Sequence, residues 1–396
     1  MPGKRNILIG VTGSIAAYKS VDIARRLMDE GADVKVVMTE AACRFITPYT
    51  FEAVTRNPVH SDLFREPFSH INLSKESHLF IIAPATANTI NKLSCGIADN
   101  LLSNLWLTYE GPVLMAPAMN FRMYRNPLVK KHIRELKKSG VQFVGPISGA
   151  LACGEEGEGR MVEIPEIVEA AVSALTHKDL TGQNILVTAG PTIEPIDPVR
   201  FISNRSSGKM GYAIAQAALR RGADVTLISG PSSLEPPIGA SFISIERAPE
   251  MEAALFKHLE KSTSVIMAAA VSDYFPSDTA KVKLKKSDAI TLNLKKNTDI
   301  LLKLGKKKGK RTLIGFAAES GKDIRSAKNK LKKKNLDLIV LNDISQKGAG
   351  FDVDTNVVTL INKNGEITEY PIMKKIEVAN VILDRMSGRT HEDTNY

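Results

Sequence analysis

Ile7-Leu8-Ile9-Gly10-Val11-Thr12-Gly13-Ser14-Ile15-Ala16-Ala17-Tyr18 runs from an apolar strand through a Gly-Ser turn into a helix. Ile185-Leu186-Val187-Thr188-Ala189-Gly190-Pro191, leading to Ser206-Ser207-Gly208-Lys209-Met210-Gly211, opens a second half in the same way. Each is followed by a near copy of one further element, Gly31-Ala32-Asp33-Val34 and Gly222-Ala223-Asp224-Val225. Free amides at a helix N-terminus hold phosphate, and glycine lets a ligand approach the backbone. The chain therefore reads as two phosphate-handling α/β domains fused head to tail, 1–183 and 184–396.

A length of 396 residues gives ample chain for two cores, and 43% hydrophobic with 24% charged residues is ordinary for a globular protein. No apolar run reaches membrane-spanning length, and Met1-Pro2-Gly3-Lys4-Arg5 leads straight into a strand, so a cytoplasmic protein without membrane contact is expected. Cys43, Cys95 and Cys153 are odd in number and lack CxxC spacing, which argues against disulfides or structural zinc. The formal charge is +10, but residues 281–334 hold 19 Lys/Arg against 4 Asp/Glu; that stretch carries +15 and the rest −5. Such a field attracts polyphosphate, unless it is simply a solvated lysine face. Nucleic acid is disfavoured, because Phe316 is the lone aromatic there for base stacking.

In the first half, strands are expected at 5–11, 33–38, 79–84 and 113–116, with a helix over about 14–30 and another near 165–175 begun by Pro165. Short, continuously apolar strands between helices imply a parallel sheet buried on both faces. The polar stretch Thr176–Gln183 reads as a linker. The second half has expected strands near 185–188, 225–228, 264–269, 313–317 and 337–341. A lysine-rich β-hairpin arm is expected at 281–295, and a strand and turn before a final helix. The fold class is α/β, with two doubly wound Rossmann-like parallel sheets.

Ligands of such sheets sit beyond the carboxyl ends of strands. In the first half these ends are Gly13-Ser14, Thr39-Glu40, Thr86-Ala87-Asn88 and Pro117-Ala118-Met119-Asn120. A clean G-x-G-x-x-G is missing, as is an acidic partner for an adenosine ribose, so FMN suits the site better than NAD.

Several strings carry a resemblance. Gly13-Ser14-Ile15-Ala16-Ala17-Tyr18-Lys19, Ala83-Pro84-Ala85-Thr86-Ala87-Asn88, Pro117-Ala118-Met119-Asn120-Phe121-Arg122-Met123-Tyr124 and Ala152-Cys153-Gly154 resemble the flavin-containing cysteine decarboxylases. With Ile202-Ser203-Asn204-Arg205-Ser206-Ser207-Gly208-Lys209-Met210-Gly211, Ala269-Ala270-Val271-Ser272-Asp273-Tyr274 and Lys283-Leu284-Lys285-Lys286, nearly the whole chain is similar to one bifunctional family. In that family of coenzyme A biosynthesis, phosphopantothenoylcysteine decarboxylase is fused to phosphopantothenate–cysteine ligase.

For the first half, a flavodoxin-like flavoprotein domain, the resemblance implies oxidative decarboxylation on FMN, with Gly13, Ser14, Thr39, Thr86 and Asn88 as flavin contacts. His70 is implied as the base of the oxidation step, with His78 competing; a histidine suits by its pKa. Asn120 is implied to bind the substrate carboxylate, against a plain reading as a turn or helix cap. Cys153 is implied as the proton donor, against an inert buried thiol, and its glycine-rich surroundings suit a movable lid.

For the second half, the resemblance implies attack of 4′-phosphopantothenate on CTP, giving an acyl-cytidylate that the amine of L-cysteine opens. Mg²⁺, held mainly by the triphosphate, and Lys283, Lys330 and Lys334 would meet the charge. Lys330 and Lys334 lie at i, i+4 on one helix face. Met267, Ala268, Ala269, Asp273, Thr298, Asp299, Ile300, Leu301 and Phe316 are further implied nucleotide contacts, and Asn204 would orient the acyl-nucleotide. Asp273 has a plain reading as a helix cap, and Thr298 stands where the family often has proline. The family also implies a homo-oligomer of trimeric flavin domains and dimeric ligase domains, hence a dodecamer. The rival readings are another flavin-dependent cysteine decarboxylase, a flavin prenyltransferase, or a non-catalytic FMN-binding regulator.

Overall fold

The computed structural model describes residues 5–388 except 153, 286–289, 320, 322, 344, 347, 349 and 351. It divides into two compact units between Thr176 and His177. In the first unit, β1 (Arg5–Val11), β2 (Ala32–Met38), β3 (Val59–His60), β4 (Leu79–Ala85), β5 (Val113–Pro117) and β6 (Gln142–Phe143) form one sheet in the order β3-β2-β1-β4-β5-β6. Every pairing in it is parallel. Successive side chains of a strand alternate between faces. Ile7, Ile9, Val34, Val36 and Ile81 accordingly pack into one core with the helix Ile164–Leu175, through Ile167, Val168, Ala171 and Val172. Leu8, Val37, Phe80, Ile82 and Met115 pack into another on the opposite face. Burial of both faces is what the continuous apolar runs dictate.

The strand order reverses between β1 and β4, where Thr12, 1% exposed, ties the two ends together. Its Oγ1 donates to the Pro84 carbonyl at 2.7 Å and accepts the Thr86 amide at 3.2 Å. After the sheet, β7 (Ile147–Ala150) and β8 (Glu156–Arg160) make an antiparallel ribbon.

The second unit begins earlier than its first strand. The stretch read as a linker packs on it from His177 onward: Leu180 is buried, and its amide donates to the Arg221 carbonyl at 3.0 Å. The buried Arg221 guanidinium meets Asp179 at 2.5 Å and Asp384 of the final helix Lys375–Ser387 at 2.8 Å. Removing one member of such a triad leaves a buried charge uncompensated and costs about 3–5 kcal/mol.

The strands of this unit are, in chain order, β9 (Asn184–Ala189), β10 (Ile193–Pro195), β11 (Phe201–Ser203), β12 (Asp224–Ser229), β13 (Ser241–Ser244), β14 (Ser264–Met267), β15 (Tyr274–Pro276) and β16 (Leu294–Lys296). They continue with β17 (Thr312–Glu319), β18 (Leu338–Asp343), β19 (Thr355–Asn356), β20 (Val358–Asn362), β21 (Ile367–Glu369) and β22 (Met373–Lys374). The main sheet has the order β13-β12-β9-β14-β17-β18-β20-β21. It is parallel from β13 to β18, and β20 and β21 add antiparallel. β10 pairs with β11, and β19 with β22.

Two expectations need correction. The strand expected over 264–269 ends at Met267, because Ala270 turns aside to bridge Pro191 and its carbonyl takes the Thr192 amide at 3.2 Å. Among the described residues of 281–295 no strand pairs with another inside that stretch: β16 pairs instead with β15, placing Lys296 opposite Tyr274 and Lys295 opposite Phe275. Folding the lysine-rich stretch on itself would have set like charges across the ladder, whereas the aromatic partners carry none. Residues 286–289 of the arm lie outside those described.

Candidate active sites

In the first unit three hydroxyl residues cap the helical turns that leave β1, β2 and β4. Ser14 accepts the Ala16 amide at 3.3 Å, Thr39 the Ala42 amide at 3.2 Å and Thr86 the Thr89 amide at 3.3 Å. Asn88 is exposed on the first turn after Thr86. Gly13 is required by close approach, since a Cβ there would lie 2.6 Å from that of Ala41. The five residues expected to hold the flavin thus lie at the ends of the adjacent strands β2, β1 and β4, where the strand order reverses. The set is uncharged, and hydroxyls and amides of this kind suit a flavin's ring carbonyls and phosphate.

Beside it a cavity of ≈ 360 Å³ is bounded by the Ser14–Lys19 turn, by Ala118-Met119-Asn120 and by the β7–β8 ribbon, including Ala152, Arg160 and Met161. Asn120 caps the helix Phe121–Arg125, accepting the Arg122 amide on Oδ1 at 2.8 Å. The cap reading and the cavity position hold together, because Nδ2 remains directed to Glu155 Oε2 at 3.0 Å. Glu155 Oε1 meets Arg122 at 2.5 Å. Cys153 lies outside the described residues.

Two glycines after Cys153, Gly157 and Gly159, serve the packing of β8. A Cβ on Gly159 would stand 2.2 Å from the Met119 carbonyl oxygen, and one on Gly157 2.8 Å from Phe121. The Met119 amide donates to the Gly159 carbonyl at 2.9 Å, so the ribbon is clamped directly onto the Asn120 segment. His70 does not line this cavity. It sits in the first turn of the helix Ser69–Glu76, with its carbonyl accepting Thr108 Oγ1 at 3.1 Å and its Nδ1 buried without a partner among the described residues. His78 lies at the entrance of β4, and its Nδ1 accepts the Asn6 amide at 3.1 Å.

In the second unit a cavity of ≈ 450 Å³ opens at the carboxyl ends of β9, β14, β17 and β18. It gathers Asn204, Ala268, Ala269, Asp273, Phe316 and Lys330 of the expected set. Asn204 donates to the carbonyls of Ala270 at 3.3 Å and Val271 at 3.1 Å, which fixes it on the loop after β14. Asp273 lies in that loop and caps no helix. Lys330 pairs with Glu319 at 2.6 Å.

Met267, Lys283, Thr298, Asp299, Ile300, Leu301 and Lys334 do not line the cavity. Asp299 caps the helix Ile300–Lys307 and pairs with Lys334 at 2.9 Å. Burial opposes its ionisation, yet the Leu302 amide and the Lys334 ammonium hold its carboxyl below the usual range. Ile300 is buried in the core. Lys283 is exposed, next to Leu284, whose amide donates to Asp197 at 3.1 Å.

Sequence reasoning missed Asn342, Asn356 and Lys375 in this cavity wall. Lys375 is buried and donates to the carbonyls of Gly350 at 3.0 Å and Val353 at 2.5 Å. Burial, aided by neighbouring Lys209, pushes its ammonium down to about 8. No local motif marks these three, since only the return of the chain through β18–β22 brings them in. Among the described residues no group of three His, Cys, Asp or Glu side chains is placed to hold a metal ion, and no helix is long and apolar enough to cross a membrane.

Comparison with known proteins gives two family matches: Flavoprotein over residues 1–176, and DNA/pantothenate metabolism flavoprotein C-terminal domain over residues 180–389. The chain is 47% identical over 397 residues to the coenzyme A biosynthesis bifunctional protein CoaBC of Bacillus subtilis, covering 98% of both chains. It is 43% identical over 403 residues to the protein of that name from Escherichia coli K12, covering 99% of this chain and 98% of that one. The crystal structure of a C-terminal domain of that type is 42% identical, covers 55% of this chain and 100% of its own, and gives a TM-score of 0.47.

Proposed function

The chain belongs to the family of coenzyme A biosynthesis bifunctional proteins, and on that premise we propose the chemistry of each half. The protein is an enzyme of coenzyme A biosynthesis with a decarboxylase half and a ligase half. The second unit joins 4′-phosphopantothenate to L-cysteine through an acyl-cytidylate made from CTP. The first unit, a flavoprotein carrying FMN, decarboxylates the resulting phosphopantothenoylcysteine to 4′-phosphopantetheine.

The observation that carries the decarboxylase reading is the cavity shared by Ser14, Asn120 and the ribbon that bears the Cys153 loop. When bound at the β2-β1-β4 edge, the flavin supplies a two-electron acceptor that later returns the pair. Asn120 offers the substrate carboxylate a neutral amide donor, which does not resist its departure as carbon dioxide the way an ammonium would. Cys153 returns a proton to the decarboxylated carbon. His70 takes the proton of the oxidation step; it does not border the cavity of this single chain, so its access would come through the assembly. Phe64, Phe68 and Tyr49, all strongly exposed, supply apolar surface for the trimeric contact that the reading requires.

In the ligase half, Asp273 and Phe316 would hold the nucleoside, Asn204 would orient the acyl group, and Lys330, Lys334 and Lys283 would neutralise phosphate charge. Mg²⁺ would arrive with the triphosphate. The enzyme is read as a cytoplasmic homo-oligomer. The full chain, given phosphopantothenate, cysteine and each triphosphate in turn, should release pyrophosphate with CTP and then carbon dioxide. Release of neither would reject the reading, and equal turnover with ATP would reject CTP as the dedicated nucleotide.

A further inference from the structure

A fully buried carboxylate lies behind the loop that lines the second cavity. Glu194 of β10 is 0% exposed. Its Oε1 accepts the Ala248 amide at 3.0 Å and the Asn297 side-chain amide at 3.4 Å, and Arg247 Nε stands 3.6 Å from Oε2. The same Asn297 Nδ2 donates to the Ser272 carbonyl at 2.9 Å, and the Asn297 backbone amide donates to the Asp273 carbonyl at 2.7 Å. Two residues before Glu194, Thr192 Oγ1 accepts the Ser272 amide at 2.9 Å, and the Thr192 amide donates to the Ala270 carbonyl at 3.2 Å. Thr192 directly, and Glu194 through Asn297, therefore hold the 270–273 loop from its buried side, while Ala270, Val271 and Asp273 face the cavity in front.

We propose that Glu194 is a positioning residue for the nucleoside triphosphate: through Asn297 it fixes the shape of the 270–273 loop that receives the nucleotide. The inference rests on the ligase reading above. Burying a carboxylate is costly unless partners repay it. Here the partners do not satisfy it completely, because Glu194 Oε2 and Ser272 Oγ lack hydrogen-bond partners among the described residues. A core filled for stability alone would place an apolar side chain at this position. The position is thus better explained by what the carboxylate orients than by what it stabilises. Its two contacts are also spaced to serve this purpose, one on the start of the helix Ala248–Leu259 and one on the segment that leads into Thr298-Asp299.

The test measures ligation by the full chain, with separate KM values for CTP and phosphopantothenate. Glu194→Leu should raise the CTP KM about tenfold while moving the phosphopantothenate KM less than about threefold, in keeping with loss of one buried charge-assisted contact. Glu194→Gln keeps an Oε1 acceptor and should restore the CTP KM to within about threefold of the parent. Thr192→Val, which leaves the carboxylate alone, should shift the CTP KM in the same direction, and it decides the matter if Glu194→Leu does not fold. Carbon dioxide release from supplied phosphopantothenoylcysteine reports that the rest of the chain is intact. An unchanged CTP KM in both Glu194→Leu and Thr192→Val overturns the proposal, as does an equal rise in both KM values. A parent protein that releases no pyrophosphate from any triphosphate instead overturns the ligase reading, and this proposal falls with it.

Discussion

Asn120 Nδ2 donates to Glu155 Oε2 at 3.0 Å, so the amide assigned to the substrate's carboxylate already holds a carboxylate of the chain itself. Arg122 anchors the other oxygen of Glu155. A substrate would have to displace this contact. Glu155→Ala should therefore lower the KM for phosphopantothenoylcysteine about three- to tenfold, the range of one charge-assisted hydrogen bond. Steady-state decarboxylation checks it, and an unchanged or raised KM would show that Glu155 does not compete.

Gly159→Ala should damage the first unit selectively. The added Cβ would fall 2.2 Å from a backbone carbonyl that cannot swing away. A cost of about 1–3 kcal/mol is expected, with a lowered Tm and slower decarboxylation. Pyrophosphate release by the ligase half serves as the control and should hold steady.

Lys330 borders the second cavity, whereas Lys283 is exposed and away from its wall. Lys330→Gln should weaken ligation about tenfold through the nucleotide KM. Lys283→Gln should do likewise only if the assembly brings its arm to a triphosphate. Carbon dioxide release from supplied phosphopantothenoylcysteine should survive both changes. Equal loss of both activities in either variant would indicate misfolding or misassembly instead.

Lys375 gives a pH dependence with a definite sign. Its ammonium is pushed from the ordinary 10.5 down to about 8 by burial and by Lys209. Below about pH 8 the fold bears a charged buried lysine. Between about pH 8 and 10.5 the unfolded chain keeps a proton that the folded one has shed, so stability rises with pH across that window. Relative to Lys375→Met, the parent should gain unfolding free energy from pH 8 to about pH 10 in urea titrations. A flat difference would refute the depressed pKa.

Cys153→Ser should stop the first unit after carbon dioxide loss, since a serine hydroxyl is a far weaker acid than a thiol. The product should be two hydrogens short of the pantetheine. Mass spectrometry distinguishes the two, and full pantetheine output would remove Cys153 from its assigned role.

The parallel sheets were legible because apolar strands buried on both faces leave an unbroken signature, as in Leu79-Phe80-Ile81-Ile82. Strand-end positions followed from the same pattern, which is why Ser14, Thr39 and Thr86 could be named before their capping geometry was known. The pairing of residues 294–296 with Tyr274–Pro276 was not legible, because a lysine-rich stretch carries no record of its partner strand. The packing of Gly157 and Gly159 was not legible for a related reason: the Met119 carbonyl and Phe121 that crowd them are distant in sequence.

Local order in the chain therefore determined two doubly wound sheets, their strand ends and the residue types placed there, because side-chain periodicity and turn chemistry act over a few residues. Tertiary structure alone decided that Glu155 meets Asn120, that Lys375 enters the cavity of the second unit and that Glu194 stands behind Asn297. Those contacts join segments far apart along the chain. Their energies depend on burial and on distances of a few ångströms, which no local pattern encodes.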